Sequence, residues 1–130
     1  MNNDICPCGT EKKLMDCCGP YLYNGQNPAT AEILMRSRYT AYCRKEINYL
    51  VESTHSTMRQ PGDDIKILQW ANACTWESLI IETIRDGKSG DNEGYVQFKA
   101  FYFQKGQRFC HEENSHFVKE DGKWKFVCAV

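Results

Sequence analysis

Four thiols lie within thirteen positions near the start of the chain, in the run Cys6-Pro-Cys8-Gly-Thr-Glu-Lys-Lys-Leu-Met-Asp-Cys17-Cys18. Four thiolates at about 2.3 Å from one Zn²⁺ complete a tetrahedron and leave no position for a substrate, which is the chemistry of a structural site. Pro7 restricts the backbone between the first two thiols, and Gly9 permits the turn after them. A short helical stretch over Lys12 to Asp16 would bring the chain back to present Cys17 and Cys18. The thiolates leave a net charge of about −2 around the dication, which Lys12 and Lys13 are placed to offset. A segment this short has no core of its own, so metal binding supplies much of its folding free energy. A redox pair is the alternative, although adjacent cysteines are awkward partners for a disulfide within one chain. Cys43, Cys74, Cys110 and Cys128 each sit alone in an apolar segment and read as core fillers.

A second constellation is spread along a predicted strand. Side chains on one face of a strand recur every second residue, so Phe109, His111, Glu113, Ser115 and Phe117 share a face. A turn at Lys105-Gly106 sets Tyr102 opposite Phe109, Ala100 opposite His111, Phe98 opposite Glu113 and Val96 opposite Ser115. A turn at Asp121-Gly122 sets Phe117 opposite Phe126 and Ser115 opposite Cys128. Three polar groups therefore lie in an apolar field, where each must find a partner or a ligand. Ala100 beside His111 leaves room there. Arg38 is a natural partner for Glu113, and a carboxylate in such surroundings is a candidate acid or base. The structural alternative is an ion pair tying helix to sheet. His55 and Arg59 lie in a loop that could rim the cavity or be solvated. Alternation sends His116 to the opposite face, and Trp70, Trp76 and Trp124 read as sheet-face anchors before cavity walls.

These groups need elements to hold them. Gly19 to Asn27 reads as a linker. Asn27 is placed to cap a helix with Pro28 at its first position, running to about Cys43 with Leu34, Met35, Tyr39 and Tyr42 as its apolar face. A second helix spans about Ile47 to Ser53, and a third, capped by Asp63 or Asp64, runs through Cys74. The period then changes from helical to alternating, predicting strands Trp76–Arg85, Gly94–Gln104, Gln107–Glu120 and Lys123–Val130. The fold class is α+β, with helices on one face of a four-stranded antiparallel meander.

At 130 residues and 42% hydrophobic content the chain suffices for one domain with a small appendage. Its 16 basic and 17 acidic residues give no broad positive face, which argues against nucleic acid as the main partner. No apolar run approaches the roughly 18 residues a membrane span needs, and no signal peptide is present, so the expected location is the reducing cytoplasm.

The C-x-C-G, paired lysines and C-C-G resemble the SEC-C zinc motif, named from the C-terminus of the bacterial preprotein translocase motor. There the motif docks a chaperone and the ribosome, so the resemblance implies a protein or ribosomal partner. Leu34-Met-Arg-Ser-Arg-Tyr-Thr-Ala-Tyr42, Glu113-Asn-Ser115-His-Phe117 and Asp121-Gly-Lys-Trp124 resemble the YchJ-like family of bacterial proteins. That family pairs an N-terminal SEC-C motif with an NTF2-like (cystatin-like) domain, which implies a motif over residues 1–22 and a domain over 23–130 whose sheet curls around a cavity. The family's E-R-S-R-F has basic residues where this chain has Asn114 and His116, and many relatives carry a second SEC-C motif where this sequence stops. Two functions compete: a binding or adaptor protein whose knuckle docks a partner and whose domain holds a small molecule, and an isomerase, dehydratase or hydrolase using Glu113 with His111 and Arg38. A homodimer through outer-face residues Tyr95, Phe101 and Phe103 is a further expectation.

Overall fold

The computed structural model describes residues 4–130. A helical half precedes a sheet half. The helices are α1 (Gly19–Tyr23), α2 (Ala31–Arg44), α3 (Ile47–Glu52) and α4 (Asp63–Ala73), with 3₁₀ turns at Leu14–Asp16 and Ser56–Met58. The strands β1 (Thr75–Asp86), β2 (Glu93–Gln104), β3 (Gln107–Glu120) and β4 (Lys123–Ala129) form one antiparallel meander in chain order. Each strand boundary falls within one residue of the predicted one.

The two tight turns fix the register. Lys105 and Gly106 have φ of 52° and 79°, and Asp121 and Gly122 have 53° and 78°, the left-handed pairs that suit a two-residue hairpin to twisted strands. All four predicted β2–β3 pairings hold, from Tyr102 with Phe109 to Val96 with Ser115. On β4 the register slips: Phe117 faces Phe126, but His116 faces Cys128 and Ser115 faces Ala129, not Cys128. The slip sits where another segment grips the strand. Phe126 donates its N–H to the Ser53 carbonyl and accepts from the His55 N–H, both at 2.8 Å, so residues 53–55 cover this sheet edge.

Several helix starts differ from expectation. α2 begins at Ala31, capped by Thr30, whose hydroxyl accepts from the Ile33 N–H at 3.1 Å; Asn27 and Pro28 lie outside it. The β1–β2 loop sets this boundary, because the Gly87 carbonyl accepts from the Ala31 N–H at 2.9 Å. A Cβ at Gly87 would stand 2.7 Å from that of Ala31, so only glycine lets loop and helix meet. The expected linker contains α1, with Pro20 in its first turn. α4 starts after Gly62, and neither aspartate caps it: Asp63 turns back to the Gln60 N–H and Asp64 accepts from Ile65.

The core joins Leu34, Met35 and Tyr39 of α2 to Leu79, Val96, Phe98, Ala100, Phe117 and Trp124 of the sheet, and it continues into Cys6, Cys8, Leu14 and Cys18. The N-terminal segment is thus packed onto the domain. Of the isolated cysteines, Cys74 is buried and Cys43 and Cys128 are half-buried. Cys110 is exposed and does not fill the core, because the alternation that turns His111 toward the helices turns Cys110 to the outer face. On that face Arg85 covers Tyr95 at 4.1 Å and Arg108 covers Phe101 at 4.4 Å, while Phe103 is exposed. No helix among the described residues is long and apolar enough to cross a membrane.

Candidate metal centre and cavity

The metal ligand candidates converge. The sulfurs of Cys6, Cys8, Cys17 and Cys18 all lie within 4.8 Å of one another, with Cys8 and Cys17 at 3.5 Å and Cys17 and Cys18 at 4.0 Å. Sulfurs at the corners of a tetrahedron with 2.3 Å metal bonds stand about 3.8 Å apart. This cluster can hold a metal ion. Cys6, Cys8 and Cys18 are buried, and Cys17 is half-buried.

The backbone that presents them is a small ribbon. The Cys6 N–H donates to the Lys12 carbonyl at 2.8 Å and Ile5 bridges Lys13, so Lys12 lies in a bend, Lys13 is extended, and the predicted helical stretch shrinks to the turn Leu14–Asp16. Both lysine side chains are exposed. The cation seated against the knuckle is Arg36 of α2, whose Nη1 donates to the Cys8 carbonyl at 2.7 Å while its Nε holds Glu32 at 2.9 Å. Thr40, one turn further on, places its hydroxyl 3.5 Å from Cys6 Sγ. Gly9 has φ 96°, and a Cβ there would stand 3.2 Å from the Leu79 carbonyl, so the knuckle rests directly on β1.

The second site lies between α2, α4 and the inner face of the sheet, where a cavity of about 110 Å³ remains. His111, Glu113 and Ser115 line it together, two residues apart on β3 as the alternation requires. His111 Nε2 meets one oxygen of Glu113 at 2.8 Å, and the Ser115 hydroxyl donates to the other at 2.5 Å. Burial pushes the Glu113 carboxyl up, but the hydrogen bonds from His111 and Ser115 outweigh it and hold the group below its ordinary value. The bond to Glu113 raises His111 in turn.

Arg38 also lines this cavity but does not pair with Glu113. The guanidinium is 6% exposed and makes no ion pair among the described residues. Its three hydrogen bonds all leave from Nη1, to the Leu50 carbonyl at 2.9 Å and the hydroxyls of Ser53 and Thr54 at 2.6 and 3.3 Å. The Leu50 carbonyl, in the last turn of α3, also accepts from the Thr54 hydroxyl at 2.9 Å, and this cluster of oxygens draws the side chain away from the carboxylate. Phe126 lies under the charge, 4.6 Å from its centre, and burial lowers the pKa of Arg38.

His55 and Arg59 do not rim the cavity. His55 Nδ1 stays within its own turn, 2.8 Å from the Thr57 hydroxyl, and Arg59 donates to the carbonyls of Thr54 and Glu52 at 2.8 Å. The segment that grips β4 keeps both on its outer side, and Arg59 borders a separate depression with Glu120 and Lys125. His116 faces outward, stacked on Tyr95 at 4.6 Å. Trp124 is an anchor, its indole N–H donating to the Ala29 carbonyl at 3.1 Å, whereas Trp70 and Trp76 wall the cavity. Trp76 Nε1 is a buried donor with no hydrogen-bond partner among the described residues, enclosed by the rings of Tyr39, Tyr42, Trp70 and Tyr102. Sequence reasoning assigned Tyr42 to the core alone, yet it lines the cavity. Its position four residues after Arg38 on one helix was the available signal.

The pattern described as the YchJ middle NTF2-like domain matches residues 30–129, and the SEC-C motif matches residues 3–20. This chain belongs to the YchJ family. A UPF0225 protein of Geobacter sulfurreducens is 42% identical over 95% of this chain and 77% of its own length. Another, from Photorhabdus laumondii, is 38% identical over 98% of this chain and 80% of its own. The solution structure of RPA3114, a SEC-C motif containing protein from Rhodopseudomonas palustris, superposes with a TM-score of 0.87 at 34% identity, covering 100% of this chain and 98% of that one. A SEC-C motif containing protein from Psychrobacter arcticus gives 0.79 at 29%, covering 98% and 84%. Each of these likenesses spans knuckle and domain together.

Proposed function

We propose that this chain is a binding protein built on a structural Zn²⁺ centre, in which the knuckle docks a protein or ribosomal partner and the NTF2-like domain holds a small molecule. The observation that carries this reading is the closed donor set: four sulfurs with tetrahedral spacing, three of them buried. Cys6, Cys8, Cys17 and Cys18 would hold the ion, which compensates four thiolates and ties the ribbon together. Beside them Ile5 and Met15 are 55% and 51% exposed, next to the exposed Lys12 and Lys13. Exposed apolar side chains among charges of both signs, Asp4, Glu11 and Asp16 as well as the two lysines, suit docking to a partner surface.

Metal analysis of protein purified under reducing conditions should return one zinc per chain, and Cys17→Ser should lose it. The docking part is tested with Ile5→Glu/Met15→Glu, which leaves the thiols intact. Zinc content should stay at one per chain while co-sedimentation with ribosomes or recovery of a protein partner falls. Unchanged recovery would remove the docking assignment. The acid–base alternative through Glu113, His111 and Arg38 has less support. Both oxygens of Glu113 are engaged and its carboxyl is held in the charged form, which leaves it no proton to give.

A further inference from the structure

The cavity between α2 and β3 differs from the rest of the interior in which polar groups it leaves unused. The His111–Glu113–Ser115 chain is internally satisfied, each carboxylate oxygen already accepting one bond. What remains unpaired in the wall is a set of donors. Leu50, Ser53 and Thr54, which occupy Arg38 Nη1, lie outside the lining, so Nε and Nη2 are the edge Arg38 can present to the cavity. Among the described residues the Tyr42 hydroxyl, one helical turn away and also in the lining, makes no hydrogen bond, and Trp76 Nε1 is a buried donor without a partner.

Charge points the same way. A buried guanidinium without a carboxylate partner is costly, and the planar fork of arginine matches a carboxylate bidentately. Glu113 makes no contact with Arg38: its oxygens take their hydrogen bonds from His111 and Ser115, and its charge acts on the guanidinium only through space. A monoanion on the free edge of Arg38 meets less repulsion from Glu113 than a dianion would. The remaining walls, Met35, Phe98, Ala100 and Phe126, are apolar. The volume of about 110 Å³ equals about four water molecules at ~30 Å³ each, room for a ligand of a few non-hydrogen atoms.

We propose that this cavity binds a short-chain aliphatic monocarboxylate, its carboxylate held by the Nε/Nη2 edge of Arg38 and the hydroxyl of Tyr42, and its hydrocarbon end against Phe98 and Ala100. The inference rests on the reading of the cavity as a ligand site and adds the class of ligand.

The test is an amide NMR titration of the zinc-loaded full chain with butyrate, butyramide and sulfate at constant ionic strength. Butyrate should give saturable shifts at Tyr42, Ala100 and His111 with a Kd on the order of 1 mM. Butyramide, which keeps shape and loses charge, should bind roughly ten- to a hundredfold more weakly, as expected for loss of a charge-assisted pair. Sulfate should shift none of these residues. Ala100→Leu should fill the space and abolish the butyrate response while leaving Arg38 untouched; Arg38→Met should abolish it by removing the fork. Should Arg38→Met fail to fold, Ala100→Leu decides. Equal affinity for butyrate and butyramide would overturn the carboxylate inference and leave the ligand-site reading standing. Tighter binding of sulfate would do the same. A lack of saturable shifts with all three would overturn both.

Discussion

The knuckle and the cavity are both inward-facing clusters of polar groups, and they solve the problem of burial in opposite ways. In the knuckle four identical donors converge within 4.8 Å and are complete once one cation is added. In the cavity an imidazole, a carboxylate and a hydroxyl satisfy one another, while a guanidinium, a phenol and an indole are left over. The first arrangement leaves no donor over. The second keeps unspent hydrogen-bonding capacity around a space of about 110 Å³. The difference also concerns distance along the chain. The four thiols come from one loop of thirteen residues, whereas the cavity draws on α2, α4 and all four strands.

The comparison breaks most visibly through the metal. Cys8→Ser, or chelation, should lower stability more than any other change considered, because metal binding is coupled to folding of the ribbon. Amide exchange should show the ribbon from Cys6 to Cys18 opening first, with the central strands last. Acidification should act in the same direction, because the ligands must be deprotonated to bind. Simultaneous loss of protection throughout would mean that knuckle and domain fold as one unit. Next in size, Phe117→Ala in the fully buried sheet core should cost about 3–5 kcal/mol by denaturant titration and leave zinc content at one per chain. Thr30→Ala, which removes the α2 cap, should cost about 1 kcal/mol, and Thr30→Ser should restore most of it.

The smallest effect sharpens the cavity side. His111 titrates above its ordinary value, so its contribution is fully present below about pH 6.5 and disappears as pH rises through its folded-state pKa. Glu113 titrates below its ordinary value, so its contribution is present above about pH 4.3 and disappears as pH falls through its own folded-state pKa. The pair therefore stabilises most between those limits. His111 is 44% exposed at its side chain, so His111→Gln should cost only a few tenths of a kcal/mol there and less above neutrality. A wild-type-minus-variant difference independent of pH would refute the pairing.

How much of this was legible in the sequence follows the same division. The convergence of the four thiols was readable because their chemistry and spacing are local. The β2–β3 pairing was readable because a two-residue turn transmits register along both strands. The β4 register was not, because the slip depends on residues 53–55 reaching across to Phe126, a contact no turn announces. The α2 start was misplaced because Asn27-Pro28 carries a good helix signal, while the deciding partner, the Gly87 carbonyl, is 56 positions away from Ala31. Arg38 was placed at the cavity, but its partner was misjudged. Glu113 offers an opposite charge, yet three neutral oxygens from Leu50, Ser53 and Thr54 were nearer.

Two arginines on α2 serve different sites: Arg36 holds the Cys8 carbonyl and Arg38 lines the cavity. Two helical positions apart, they point about 200° away from each other around the helix axis. Insertion of a single residue between them would swing one of the two about 100° from its post, whichever amino acid was added. In this stretch the length of the chain is thus a stricter requirement than the identity of many of its side chains.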